Sequence, residues 1–354
     1  MVRIASRSVS ANTTVSSHFP TGEPSEISEV TYEPGWITPK LPLVCPDAIQ
    51  VLLFLLTCLT TTFAGVQASP AFYAKYANVD ITWTLLLLPE NLIYGIPFSG
   101  TLLLILGVHE MGHFIAARHW NVRATLPYFI PFPTIIGTMG AIIRIKSRIP
   151  NRRALFDIGV SGPLAGFLIA VVALAYGFSN AEIVQMTRFE GGGGLIFGDS
   201  LLTSSLQYLI VGEIPADHDL MLGPVGFAGW LGLFVTVLNL LPVGQFDGGH
   251  LVYALYGKHH ARISKITIGV LFGVWALGPE YGWIHDPSLF GTWLGSRWPG
   301  WLIWGFISIF LGRHHPPTLD PYTTLDSPRT RVGYLTIAIF IVCFIPNPIR
   351  WAGP

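Results

Sequence analysis

Residues 101–117 read TLLLILGVHEMGHFIAA, an apolar run whose ionisable side chains are His109, Glu110 and His113. A bilayer core takes about 20 apolar residues of helix, so this stretch reads as the body of a membrane-crossing helix. Residues four apart share a helix face, and His109 and His113 can therefore turn both imidazoles toward one metal ion. Glu110 adjoins that face and can take a proton from water at the metal. As a bare pattern, H-E-x-x-H also arises by chance. Here the setting decides, because ionisable groups are unfavourable in lipid and those found there are functional by default. The bland alternative is a pair of histidines satisfied by neighbouring carbonyls.

The rest of the chain supports a membrane setting. Of its 354 residues, 51% are hydrophobic and 11% charged, against about 25% charged in soluble domains. The mean hydropathy is +0.54. Too little polar surface exists to cover a soluble core of this size, so lipid replaces water around much of it. Candidate spans are Ala48–Val66, Thr101–Ala117, Leu155–Gly177, Leu222–Pro242, Ile263–Leu277, Trp301–Leu311 and Val332–Ile345. The sixth is short, and Trp298, Trp301 and Trp304 suit an interface. Ile81–Gly100 is interrupted by Pro89, Glu90, Asn91 and Pro97, and reads as a loop or interfacial piece. The expected fold is an all-α integral membrane protein, a polytopic bundle of six or seven transmembrane helices with a small re-entrant β element.

Charge sets the orientation. The connection after the second run carries Arg118, Arg123, Arg144, Lys146, Arg148, Arg152 and Arg153, with no acid. The next is acidic, with Glu182, Glu190, Asp199, Glu213, Asp217 and Asp219 against Arg188. Lys258, Arg262 and Lys265 follow, and later Arg313, Arg329 and Arg331. The basic excess falls on alternate connections, which puts the N-terminus and basic loops in the cytoplasm. The formal net charge is 0, and no nucleic-acid partner is expected. Residues 1–44 form a polar tail rich in Ser, Thr and Pro, lacking a secretory signal pattern and expected to be disordered.

Two stretches depart from simple helix. Pro127, Pro131 and Pro133 break any helix after Asn121. Beyond Gly137, Met139, Ala141, Ile143 and Ile145 alternate with Gly140, Ile142, Arg144 and Lys146, a strand pattern. Non-helical backbone survives at membrane depth only when protein or a watery cavity covers it. Gly191–Gly194 reads as a flexible piece of the acidic loop.

Catalytic zinc takes a third protein ligand and keeps one position open. Cys45, Cys58 and Cys343 are scattered and form no C-x-x-C pair, so a carboxylate or another histidine must serve. Asp247 is the foremost candidate, at the end of the fourth run, where Pro242, Gly244, Gly248 and Gly249 let the chain turn. The topology returns that run to the side where the His109–His113 helix ends. An aspartate before glycine is also an ordinary turn or cap residue. His250 competes as ligand and ranks second. Asn239 and Gln245 can donate hydrogen bonds to a developing oxyanion, or simply bind backbone. His119, His259-His260 and His314-His315 lie among basic residues and read as solvated. Gly159, Gly162 and Gly166 suit close helix packing.

Taken with Ser161-Gly162-Pro163-Leu164-Ala165-Gly166 and Asn239…Pro242…Asp247-Gly248-Gly249, the H-E-x-x-H segment resembles the site-2 protease family of intramembrane zinc proteases. The resemblance runs from about Gly100 to Leu255, and Phe246 stands where the family often has Leu. It implies zinc, one per chain, on His109, His113 and Asp247, with Glu110 as general base. It implies a transmembrane metalloprotease domain over residues 45–354, with its catalytic core at about 100–255. The activity implied is regulated intramembrane proteolysis of a transmembrane protein substrate in the bilayer. Met139, Gly140, Ala141, Ile142 and Ile143 would then pair with the unwound substrate; an anchoring hairpin is the plainer reading. The expected location is the cytoplasmic membrane of a prokaryote, with the active site toward the cytoplasm; an organellar membrane is the alternative the sequence leaves open. Two rivals remain: a zinc-dependent membrane hydrolase of a small molecule or lipid, and a non-catalytic metal-binding or transport protein.

Overall fold

A computed structural model describes residues 44–77, 79–185, 194–215, 218–278, 298–311 and 315–352. The expected disorder of the N-terminal tail, and most of the glycine run, lie outside them. The first helix, α1 (Ala48–Gln67), starts at Asp47, whose carboxylate accepts the Gln50 N–H while the Gln50 side chain accepts the Asp47 N–H. This reciprocal cap satisfies two N–H groups the helix start leaves orphaned. Leu52, Leu55 and Leu59 are exposed on α1, while Thr57 and Thr61 are fully buried. Each hydroxyl donates to a carbonyl in its own helix. Apolar side chains outside and satisfied polar ones inside is the arrangement a lipid surround favours.

After α2 (Pro70–Lys75) and α3 (Trp83–Leu86), a 3-10 turn over Pro89–Gly95 runs into α4 (Ile96–His119). Of the two readings of Ile81–Gly100, a loop or an interfacial piece, the loop is corrected: this stretch holds short helices, and α4 already begins at Ile96. Pro97 falls in the first turn, where a missing N–H forfeits no intrahelical bond. Gly95 lies so close to the Thr62 carbonyl of α1 that a β-carbon would overlap it.

The strand expected over Gly137–Ile145 is present as the shorter β2 (Thr138–Ile142), and it forms a hairpin with β1 (Tyr128–Pro131), pairing Tyr128 with Ile142 and Phe129 with Ala141. The expected side-chain alternation does not hold, since Met139 and Ile142 are both exposed. The reason is local. The register shifts between Phe129 and Pro131, and Gly140 takes φ +97°, so the pleat is interrupted. The hairpin is fastened to α1 by polar side chains. Thr60 donates to the Gly137 carbonyl at 2.6 Å and Gln50 to the Leu126 carbonyl at 2.7 Å.

The long helix α5 (Arg152–Ser179) is capped by Asn151 and contains Pro163. Small residues let it lie close to its neighbours: a β-carbon at Gly112 would come 2.6 Å from the Ser161 carbonyl, and one at Gly229 would come 2.5 Å from the Leu174 nitrogen. Beyond α5 come β3 (Glu182–Gln185), β4 (Gly194–Phe197), α6 (Leu201–Ile210), β5 (His218–Met221) and α7 (Pro224–Asn239). Then follow α8 (Asp247–Tyr256), α9 (His260–Leu277), α10 (Gly300–Leu311), α11 (Ser327–Cys343) and β6 (Ile349–Ala352). Besides the hairpin, β3 pairs with β5 and β4 with β6, both antiparallel. The all-α expectation is corrected to that extent, because ends of connections that alternation did not mark are joined by main-chain pairing.

Leu102, Ile105 and Leu106 of α4, Ala170 and Leu174 of α5, and Leu233 and Val237 of α7 share one buried core. Each of the seven apolar runs is helical. By length and composition, Ala48–Gln67, Pro89–His119 and Arg152–Ser179 can cross a membrane.

Candidate metal centre

Helix α4 carries His109, Glu110 and His113 through the middle of this core, and all three are buried. Their neighbours Leu104 and Ile115 are exposed on the opposite side of the helix. The turn after α7 packs tightly, with a β-carbon at Gly248 or Gly249 meeting the carbonyls of Leu240 or Gly244. That compression sets Asp247, the first residue of α8, against α4. His109 Nε2 and His113 Nε2 stand 3.1 Å apart, and Asp247 Oδ2 is 3.4 Å from the first and 3.3 Å from the second. Two ligands on one tetrahedral zinc, each at about 2.0–2.1 Å, are separated by about 3.3 Å. The donor set therefore fits zinc in both chemistry and spacing. Among the described residues this is the group of three whose ligand atoms converge on one point.

Helix α5 shapes the pocket from behind. The His113 Nδ1–H donates to the Ile158 carbonyl at 2.6 Å, which leaves the Nε2 lone pair facing the carboxylate. A β-carbon at Gly162 would overlap the His113 ring, and one at Gly166 would come 3.1 Å from the His109 β-carbon. Sequence reading gave these glycines a packing role; the surface they pack against is the ligand pair itself. Glu110 Oε1 lies 4.0 Å from His109 Nε2, and the Ile143 backbone N–H, just beyond β2, faces the Glu110 carboxylate.

Of the remaining candidates, Asn239 Nδ2 is 3.3 Å from His109 Nε2, at the edge of the centre, while Gln245 is exposed in the turn before α8. Met139–Ile143 lie in and just after β2. His250 is engaged elsewhere, with its Nδ1 2.6 Å from His315 Nε2. His119 and His259 are exposed as expected. For His260 and His315 the solvated reading is corrected: His260 is buried, and His315 stacks on Tyr253 with ring centres 4.3 Å apart. Nothing in local sequence signals this, because the contact joins residues far apart in the chain. His314 lies outside the described residues.

A His–His–Asp set with both histidines buried and a carboxylate beside it, carried on packed apolar helices, defines a membrane metallohydrolase of the H-E-x-x-H class. The chain belongs to peptidase family M50, whose family model matches residues 97–276. This bears out the resemblance to the site-2 proteases. Among similar proteins, "Probable zinc metalloprotease EGY2, chloroplastic" of Oryza sativa subsp. indica is 35% identical over 206 residues, covering 56% of this chain and 36% of its own length. "Probable zinc metalloprotease EGY1, chloroplastic" of Arabidopsis thaliana is 31% identical over 271 residues, 69% of this chain and 49% of its own. "Probable zinc metallopeptidase EGY3, chloroplastic" of the same plant is 27% identical over 332 residues, 87% of this chain and 53% of its own. The chain thus spans about half the length of these relatives, or less.

Proposed function

We propose that the chain is an intramembrane zinc metalloprotease that hydrolyses peptide bonds within or near transmembrane segments of membrane-protein substrates. The observation that carries this reading is the convergence of His109, His113 and Asp247 inside the helical core, with Glu110 beside them and β2 adjacent. Those three residues would hold the zinc, which when bound would supply Lewis acidity toward the scissile carbonyl. Glu110 accepts the proton of the attacking water, holds it and returns it to the leaving amine. The Asn239 amide donates to the oxygen on which negative charge develops, and Gln245, exposed in the turn before α8, is a further candidate donor.

Strand β2 explains how a helix could become a substrate. Peptide bonds inside a helix are shielded, so the segment must unwind before water reaches it. Main-chain pairing along Met139, Gly140, Ala141, Ile142 and Ile143 would hold the unwound stretch. It would also deliver that stretch to Glu110, because Ile143 already faces the carboxylate. A hydrolase of small molecules or lipids would have no use for such an edge.

The catalytic domain on this reading lies within residues 45–354, with its core at about 100–255, in a bundle of six or seven spans. The alternating basic loops support a metal centre on the same side as those loops. The relatives named above are chloroplastic plant proteins, and they lend no support to a prokaryotic cytoplasmic membrane. The test is zinc content together with cleavage of a model transmembrane substrate, for the wild type, Glu110→Gln and Asp247→Ala. Retained zinc with lost cleavage in Glu110→Gln, and weakened zinc in Asp247→Ala, is the expected result. A wild type without zinc, or normal cleavage by Glu110→Gln, overturns the reading.

A further inference from the structure

A basic corner lies at the turn that joins α8 to α9. Helix α8 ends at Gly257, whose φ of +53° turns the chain through a three-residue 3-10 step (Gly257–His259) into α9 at His260. Arg152, at the head of α5, donates to the Ala254 carbonyl at 3.0 and 2.5 Å and so fixes the end of α8. Beyond that anchor, Lys258, His259, Ala261, Arg262 and Lys265 line an open cleft of about 610 Å³.

Lys258, Arg262 and Lys265 are exposed, and among the described residues no carboxylate pairs with any of them. The first turn of α9 holds no acidic residue either. Cations three and four residues apart repel one another, and near the start of a helix they also oppose its dipole. An anion from outside the chain removes both penalties. Further along, the same face of α9 changes character. Arg262, Lys265, Ile266, Gly269 and Val270 are exposed and recur at helical spacing, while Ser264 and Leu271 are buried on the other side. A β-carbon at Gly269 or Gly273 would meet nothing within 4 Å, so the apolar strip that continues the basic cluster is open.

We propose that this corner binds an anionic phospholipid, with the headgroup phosphate on Lys258, Arg262 and Lys265 and an acyl chain along Ile266, Gly269 and Val270. Lysine and arginine make charge-assisted hydrogen bonds to phosphate oxygens, and basic pockets beside membrane helices bind anionic headgroups. A free phosphate uses the cations alone; the apolar strip that starts one residue after Lys265 selects the lipid. The change from basic to apolar falls within one turn of α9, as the change from headgroup to hydrocarbon does across a membrane interface. The bound lipid braces the α8–α9 turn and, through it, the helix that begins at Asp247.

The test needs no proteolysis and does not depend on the protease reading. The full chain, purified and delipidated in detergent, is titrated with dioleoylphosphatidylglycerol and, separately, with dioleoylphosphatidylcholine. The wild type should bind the anionic lipid at least about 10-fold more tightly than the zwitterionic one. Lys258→Gln/Arg262→Gln/Lys265→Gln should lose that preference. Arg123→Gln/Lys146→Gln/Arg148→Gln, which removes three exposed charges from another basic connection, should keep it. Lys258→Arg/Lys265→Arg should bind as the wild type does, whereas Gly269→Phe, which keeps every charge but fills the strip, should weaken binding of the anionic lipid. Equal binding of the two lipids, equal loss in the two triple variants, or full displacement of the lipid by an equimolar amount of inorganic phosphate overturns the proposal.

Discussion

The Nδ1–H of His113 donates to the main-chain carbonyl of Ile158 at 2.6 Å, so a backbone atom of α5 sets the orientation of an imidazole on α4. The next residue back, Asp157, receives two guanidinium hydrogen bonds from Arg329 of α11, at 2.8 and 2.7 Å, and one from the Trp120 indole at 2.9 Å. The ligand is therefore oriented by a helix that is itself clamped near the same point. Orientation of this kind matters because loss of a partner behind a metal ligand typically weakens metal binding about 10–100-fold.

Gly162→Ala places a methyl group inside the His113 ring, and α4 and α5 must separate to admit it. Zinc affinity should fall at least about 10-fold, measured by competition with a chelator. Gly100→Ala, which meets nothing within 4 Å, is the control and should bind zinc as the wild type does. Equal affinities in the two variants would show that the glycine cradle does not shape the centre.

Glu110→Gln keeps shape and burial but removes the proton acceptor. Turnover of a transmembrane substrate should drop by about 10²-fold or more, with zinc content and melting temperature close to wild type.

Along β2, side chain and main chain can be separated. Met139→Ala and Ile142→Ala remove exposed side chains and leave every N–H in place. Their cleavage rates should stay within about threefold, the level at which a single exposed change alters stability little. Proline at these positions deletes an N–H from the strand and should reduce cleavage of a helical substrate severely with zinc retained. Unchanged cleavage in both proline variants would favour the anchoring role for the hairpin.

On the proposed reading, zinc held by His109, His113 and Asp247 would bridge α4 and α8, so removing it should loosen the core as well as stop catalysis. Ligand at 100 times its Kd stabilises by about 2.7 kcal/mol. A chelator should lower the melting temperature measurably, and the drop should be smaller in Asp247→Ala, which has less zinc to lose.

At the head of α11, Asp326 sits outside the apolar run that begins at Val332. Burial acts to raise its pKa, yet the Arg329 backbone N–H and guanidinium hold it below the usual carboxylate value. The folded value lies below the unfolded one of about 3.9, so the stabilisation is full above that value and lost as pH falls through the folded pKa. Asp326→Asn should melt lower than wild type at pH 7, and the gap should narrow as the pH falls below the ordinary carboxylate range. Equal melting temperatures at pH 7, where the carboxylate is charged and the Asn oxygen can still accept the Arg329 N–H, would show that the charge adds nothing to stability.

Much of this protein was legible from local sequence. Period, apolarity and proline placement mark the helices, because a lipid-facing helix must be apolar over nearly its whole length. His109, Glu110 and His113 are visible because four-residue spacing is a property of one helix. Asp247 was reachable through loop charge and turn chemistry, which fix the side on which a run ends. The limits were equally physical. Pro97 looked like a breaker until its place in a first turn was known, and Gly140 broke a strand parity that composition implied. Ile158, Gly162 and Gly166 carry no chemical signal, since a carbonyl and a missing side chain matter only for what lies opposite them. His250, His260 and His315 were scattered residues in the sequence. The sequence by itself determined which segments are apolar helices and which residues can bind metal; only the tertiary structure decided which of those residues share a site, because ligand geometry depends on how α4, α5 and α8 approach one another through glycine contacts.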